Sequence, residues 1–309
     1  MMKKNSIIVI VFILLISFTG CNNIEQEEGS NRQVSNQSKE EGKKQGDIEQ
    51  EIDFSKMIEI KGSDTMVNLG QRWAEEFMNQ YDKAQVSVTG GGSGTGIAAL
   101  INQTADIAQS SRSIKEKEKE QAKGNGVEVQ EFIVGQDGIA LIVNKENEIN
   151  QFTLEQLKQI FTGQITNWSQ LGGMDAPIVL YSRESNSGTY AFFKEFVLED
   201  EEYAQEALLL PSNSAIVEGI KQDKNGIGYV GLAYVNDEIR PVPVAKEEGN
   251  QGILPSLETI NTGAYPVARP LYLYTAGEPK GAIKTYMDFI MGEVGQKIVE
   301  DIGFIPLQN

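Results

Sequence analysis

The sequence predicts an α/β body with mainly parallel sheets, and three observations carry that prediction. Short runs rich in β-branched residues alternate along the chain with stretches whose apolar residues recur at helical spacing. Where a run gives way to a helix, glycines and hydroxyls cluster, as in "GSDTM" (62–66), "GGGSGTGI" (90–97) and "SNSGT" (185–189). In an open α/β sheet such junctions gather at the carboxyl edge of the strands, where ligands bind. Finally, 309 residues of 40% hydrophobic composition suffice for a substantial core arranged in two lobes.

Taken in order, residues 1–20 read as an address. "MMKK" supplies positive charge and "IIVIVFILLISF" an apolar run too short for the ~20 residues of a membrane-spanning helix. The run ends in "SFTGC", with small residues before Cys21. This resembles a bacterial lipoprotein signal, in which the cysteine is lipidated and becomes the new N-terminus. Phe18 stands where such signals usually carry leucine. A plain secretory signal with an incidental cysteine is the alternative. Removing residues 1–20 takes away Lys3 and Lys4 and no acid, moving the net charge from −17 to −19. Residues 21–56 then hold dense charge, Gln, Asn and Ser with almost nothing for a core, the composition of a disordered tether.

The body begins near Met57. "MIEIKG" is a strand, followed by a helix with Met66, Leu69, Trp73 and Phe77 on one face. "AQVSVTG" is a strand and "GIAALINQ" opens a helix; "ADIA" is a short strand, and "KEKEKE" (115–120) a solvated helix face. "EVQEFIVG" and "GIALIVNK" read as two strands. "TLEQLKQIF" is a helix opened by a capping box at Thr153 and Gln156. "PIVLYSRE", "NGIGYVG" and "PVARPLYLYT" are later strands, and residues 281–301 a late amphipathic helix.

Composition removes several chemistries. There is no histidine, which rules out a Ser-His-Asp triad, a Cys-His pair and histidine-ligated metal. Cys21 is the only cysteine, so there is no disulfide framework or thiolate cluster. The acidity argues against nucleic acid and against attraction to anionic lipid. Carboxylate or lysine catalysis stays open on composition alone.

What remains is a set of donors. "RESNSGT" (183–189) places a fixed cation, hydroxyls and a glycine directly before a helix, and "QSSRS" (109–113) follows the "ADIA" strand. Helix starts offer unpaired N–H groups and the positive end of a dipole, glycines let the backbone approach an anion, and hydroxyls add donors. Each motif alone is equally an ordinary N-cap or turn. The glycine run is not GxGxxG, and "GIA" at 96–98 stands where a P-loop has Gly-Lys-Ser/Thr, which disfavours nucleotides and favours a small free oxyanion.

Together "GSDTM", "GGGSGTGI", "RESNSGTY", "LEQLKQIFTGQITNW", "NGIGYVG" and the terminal "GFIPL" resemble the phosphate-binding lipoproteins of the bacterial high-affinity phosphate importer, the PstS family. The resemblance spans about residues 57–309. It implies a two-lobed type II periplasmic-binding-protein-like fold with two hinge crossings, near Ala140–Asn144 and Pro266–Leu271. Lobe one is then 57–140 plus 269–309, and lobe two 141–268. It implies that Thr65, Ser93, Ser111, Arg183, Ser187, Gly188 and Thr189 bind phosphate, with Ser63 and Asp64 beside Thr65 as further phosphate-binding candidates. Many members carry an aspartate where this chain has Ser111, and an acid where it has Ser185. Asp64 is the candidate to replace the missing carboxylate, accepting a hydrogen bond from the proton that phosphate carries and sulfate lacks, the alternative being an N-cap of the Met66–Phe77 helix.

The function implied is capture of inorganic phosphate and its delivery to the permease subunits and ATPase of an ABC importer. The protein would be a monomer, held to the extracytoplasmic face of the cell membrane by lipid on Cys21, with no enzymatic activity, cofactor or metal. A binding protein for sulfate or molybdate is the first alternative. A phosphohydrolase using Asp64 or Ser93, and an adhesin that kept the fold, are the others.

Overall fold

The computed structural model describes residues 52–308; residues 1–20, Cys21 and most of the 21–56 segment lie outside the described residues. Among the described residues no helix is long and apolar enough to cross a membrane.

The chain runs β1 (Ile58–Gly62), α1 (Val67–Gln80), β2 (Val86–Thr89), α2 (Ser93–Ile101), β3 (Ile107–Ser110), α3 (Glu116–Gly124) and β4 (Val129–Val143). It continues through β5 (Phe152–Thr153), α4 (Leu154–Phe161), β6 (Val179–Arg183), α5 (Gly188–Phe196), β7 (Leu208–Leu210), α6 (Asn213–Gln222) and β8 (Gly226–Gly231). It closes with β9 (Arg240–Val242), β10 (Val244–Ala245), α7 (Leu257–Asn261), β11 (Ala268–Ala276), α8 (Gly281–Met291) and α9 (Glu293–Ile302).

One sheet has the order β2-β1-β3-β11-β4-β8-β6-β7, with β9 also on β4. Its two ends are parallel, as the βα alternation predicts: β1 pairs in parallel with β2 and β3, and β6 with β7 and β8. β4 and β11 run antiparallel to these blocks and join them. β4 pairs with β11 over Val129–Gly138 and with β8 over Ile139–Val143. Each half keeps its own core. Trp73, Phe77, Tyr286 and Phe304 are fully buried in the first, and Phe152, Phe161, Trp168, Phe193 and Tyr229 in the second.

The α1 face is as the spacing predicts, with Met66, Leu69, Trp73 and Phe77 at most 1% exposed. The capping box also forms, Thr153 Oγ1 accepting from Gln156 N at 3.1 Å and Gln156 Oε1 from Thr153 N at 2.9 Å. Two expectations need correction. "GQDG" does not separate two strands, because neither glycine turns the chain. A Cβ at Gly135 would lie 2.9 Å from the Ile305 carbonyl and one at Gly138 2.3 Å from Ile260 Cδ1, so both positions are small to let neighbours close in. Residues 281–301 form two helices rather than one. They break at Gly292, which ends α8 and precedes α9, and at Gly295 a Cβ would collide with the Ile290 carbonyl at 2.3 Å.

Candidate functional site

The carboxyl ends of both parallel blocks face each other across the joining strands. From the first half come a single 3-10 turn, Asp64–Met66, after β1, the start of α2 after β2, and Ser111 after β3. From the second come Arg183 at the end of β6, the start of α5, and Asn213 at the start of α6.

The predicted hydroxyls meet. Ser63 Oγ donates to Ser111 Oγ at 2.9 Å, and Ser93 Oγ accepts from Ser111 N at 3.1 Å. Across the cleft, Thr65 Oγ1 of the first half and Thr189 Oγ1 of the second lie 2.9 Å apart. Ser187 Oγ caps α5, accepting from Thr189 N at 3.1 Å, which leaves its proton to donate outward. Gly188 is where the walls touch. A Cβ there would sit 2.2 Å from Ser93 Oγ and 2.7 Å from Ser111 Oγ. Ser63, Thr65, Ser93, Ser111, Ser187 and Thr189 are all buried.

Two guanidinium groups complete the cluster. Arg183, 1% exposed, donates through Nε to the Leu210 carbonyl at 3.3 Å and through Nη2 to that of Pro211 at 2.7 Å. Its Nη2 is also 3.4 Å from Asp64 Oδ2. Sequence reasoning missed the second. Arg269, at the start of β11 and 2% exposed, donates through Nε (3.2 Å) and Nη2 (2.8 Å) to Oδ2 of Asp137 on β4. Nη2 also reaches Thr189 Oγ1 at 3.0 Å, and the guanidinium carbon lies 5.6 Å from the Phe192 ring centre. Asp137 Oδ1 accepts from Leu232 N at 3.3 Å.

In both arginines Nη1 is buried without a hydrogen-bond partner. Burial pushes both guanidinium groups down, with Asp64 opposing it at Arg183 and Asp137 at Arg269. Burial likewise pushes the Asp137 carboxyl up, against the pull of Arg269. Arginine nevertheless stays protonated. Buried charge with donors left over by the protein suits an acceptor of opposite charge.

Asn213, also missed, is buried and joins the halves. Its Nδ2 donates to Asp64 Oδ2 at 2.9 Å, and its Oδ1 accepts from Gly231 N at 3.3 Å. The legible signals were a lone cation inside the apolar run "PVARPLYLYT" and a lone acid in "GQDG", charges an interior holds only when paired. Among the described residues no group of His, Cys, Asp or Glu could hold a metal ion. "LEQLKQIFTGQITNW" supplies core, with Leu157, Ile160, Phe161 and Trp168 fully buried.

Two α/β cores joined by long strands, with donors converging where the strand ends meet, define a solute-binding protein. A model described as a PBP superfamily domain matches residues 28–294. The Phosphate-binding protein PstS of Bacillus subtilis is 32% identical over 312 residues, covering 100% of this chain and 96% of its own. That of Pseudomonas aeruginosa is 30% identical over 263 residues, covering 80% and 81%. A crystal structure from Clostridium perfringens, described as a phosphate ABC transporter substrate-binding protein with bound phosphate, has a TM-score of 0.74 at 32% identity. The similarity covers 82% of this chain and 100% of that one. An ABC-type phosphate transport receptor from Vibrio cholerae gives 0.67 at 28% identity, covering 82% and 100%. The chain belongs to the PBP superfamily and, within it, to the PstS family. That family binds and hands over its substrate without chemistry.

Proposed function

We propose that this chain captures inorganic phosphate at the cluster of Arg183, Arg269, Thr65, Ser93, Ser111, Ser187, Gly188 and Thr189, with Ser63 and Asp64 at its margin, and delivers it to an ABC import permease. The observation that carries the reading is the pair of buried guanidinium groups, each with Nη1 unpartnered, set among hydroxyls on both walls. Charge-assisted hydrogen bonds of roughly 1.5–3 kcal/mol each would offset the anion's desolvation. The overall negative charge is no obstacle, since surface charge is screened beyond ~8 Å at physiological salt while the arginines act in contact. The named ligands and transport roles of the relatives support the same reading.

The rest of the assignment goes with it. The halves act as lobes, 57–140 plus 269–309 and 141–268, that hinge on the joining strands and close over the anion as a monomer. Residues 21–56 tether the body to lipidated Cys21 on the extracytoplasmic face of the cell membrane. In cells, Cys21→Ser should move the protein out of the membrane fraction or leave it as uncleaved precursor; an unchanged membrane fraction with normal cleavage would exclude the anchor. Calorimetry of the purified protein against phosphate, sulfate and molybdate tests the substrate. Phosphate should bind most tightly; preference for either rival would reassign it, and silence with all three would refute an oxyanion site.

A further inference from the structure

Asp64 stands apart from the other site residues. It opens the 3-10 turn after β1, yet no side chain caps that turn or α1 behind it. Its carboxylate reaches the other half of the molecule instead. Oδ2 accepts from Asn213 N at 3.0 Å and Asn213 Nδ2 at 2.9 Å, and lies 3.4 Å from Arg183 Nη2. Tyr234, also from the second half, donates through Oη to the Asp64 carbonyl at 2.9 Å. A second tie crosses nearby: Asn186 Nδ2 donates to the Gly91 carbonyl, and Gly94 N to the Asn186 carbonyl, both at 3.0 Å.

We propose that Asp64 is a closure latch that positions Arg183 and Asn213 from the facing wall. The proposal rests on the oxyanion reading of the cleft. Asn213 N is a first-turn amide of α6, so the carboxylate meets an unpaired donor, the positive end of a helix dipole and a guanidinium together. These contacts exist only when the halves are together, for Asp64 belongs to one side and all three partners to the other. Contacts made only in the closed form set the rate of escape rather than the rate of encounter. The latch also spans the cleft with the protein's own negative charge. A carboxylate committed to Asn213 and Arg183 has less call on the bound anion's proton, which separates this role from a direct reader of phosphate against sulfate.

The test compares wild-type protein with Asp64→Ala, Asp64→Asn, Asn213→Ala and the double variant Asp64→Ala/Asn213→Ala. Binding and release of radiolabelled phosphate and sulfate are timed, and amide exchange at Asn213 is followed in ligand-free protein. Asp64→Ala should speed phosphate release at least about tenfold and leave association within about twofold. Asp64→Asn, which keeps an acceptor oxygen, should recover part of the loss. The double variant should be little worse than the worse single one, because both remove the same tie. Asn213 amide exchange should accelerate in Asp64→Ala. Unchanged release, or a phosphate-to-sulfate preference that collapses about tenfold in Asp64→Asn, would overturn the latch. If wild-type protein binds no phosphate, the oxyanion reading fails by itself. The Asn213 exchange then decides the latch, acceleration supporting it and unchanged exchange refuting it.

Discussion

Arg183 and Arg269 are both buried at the same cluster, but they are held differently. Arg183 rests on main-chain carbonyls, with its nearest carboxylate at 3.4 Å. Arg269 is clamped by Asp137 at 2.8 Å, in a pair 1% and 0% exposed. Carbonyls orient a guanidinium without cancelling its charge; a carboxylate does both. On the proposed reading, Arg183 is therefore the principal cation offered to the anion. Arg269 and Asp137 together form a near-neutral pair that ties β11 to β4 where the halves join, leaving Nη1 of Arg269 as its one donor to spare.

The largest break in that comparison is Arg269→Ala. It leaves Asp137 buried without its partner, which costs about 3–5 kcal/mol of folding stability. Denaturant unfolding should show the loss and show much of it restored in Asp137→Asn/Arg269→Gln. A loss confined to phosphate binding, with stability intact, would make the two arginines equivalent. Next is Arg183→Ala, expected to weaken phosphate by about 2–4 kcal/mol with a smaller effect on stability. Arg183→Lys should recover only part, because an ammonium cannot reproduce the planar fork. A change below about threefold in calorimetry would remove Arg183 from the site.

This difference also explains what was legible in the sequence. Arg183 announced itself because its strand leads straight into "SNSGT", a run of helix-start chemistry that is local by nature. Arg269 and Asp137 are 132 positions apart and meet only through the β4–β11 register, in which Arg269 faces Asp137. No local periodicity encodes that pairing. The fold reads the same way. The βα alternation and the α1 face follow from spacing, whereas short strands such as β7 and β9 owe their place to partners distant in sequence. The glycines of "GQDG" mislead for the same reason. Their role is close packing against Ile305 and Ile260, which single-chain punctuation cannot distinguish from a turn.

Gly188 tests the contact between the walls. Gly188→Ala puts a methyl group 2.2 Å from Ser93 Oγ and 2.7 Å from Ser111 Oγ, so the hydroxyls or the facing walls must shift. Phosphate affinity should fall about tenfold, roughly 1.4 kcal/mol, while unfolding changes less.

The smallest effect concerns a third arginine at the margin. Arg112 forks onto Glu118, Nη1 to Oε2 at 2.8 Å and Nη2 to Oε1 at 2.6 Å. Burial pushes the Glu118 carboxyl up, but the Arg112 fork and the Lys115 amide outweigh it and leave it below its ordinary range. A depressed carboxylate stabilises the fold above its unfolded value, about 4.3, and loses that contribution as pH falls through its folded one. Glu118→Gln should thus lower the melting temperature by about 1–3 °C at pH 7, and the gap should shrink as pH falls from about 4.3 through the lower folded value. A gap independent of pH would mean the pair acts by packing rather than charge.

The central claim is that one oxyanion satisfies both unpartnered Nη1 groups. A crystal structure of the protein grown with phosphate addresses it directly. The account predicts phosphate oxygens about 2.7–2.9 Å from Nη1 of Arg183 and of Arg269, with Thr65, Ser93 and Thr189 hydroxyls turned toward it. Phosphate bound elsewhere, or Arg183 Nη1 paired with a protein carboxylate while phosphate occupies the cleft, would contradict it.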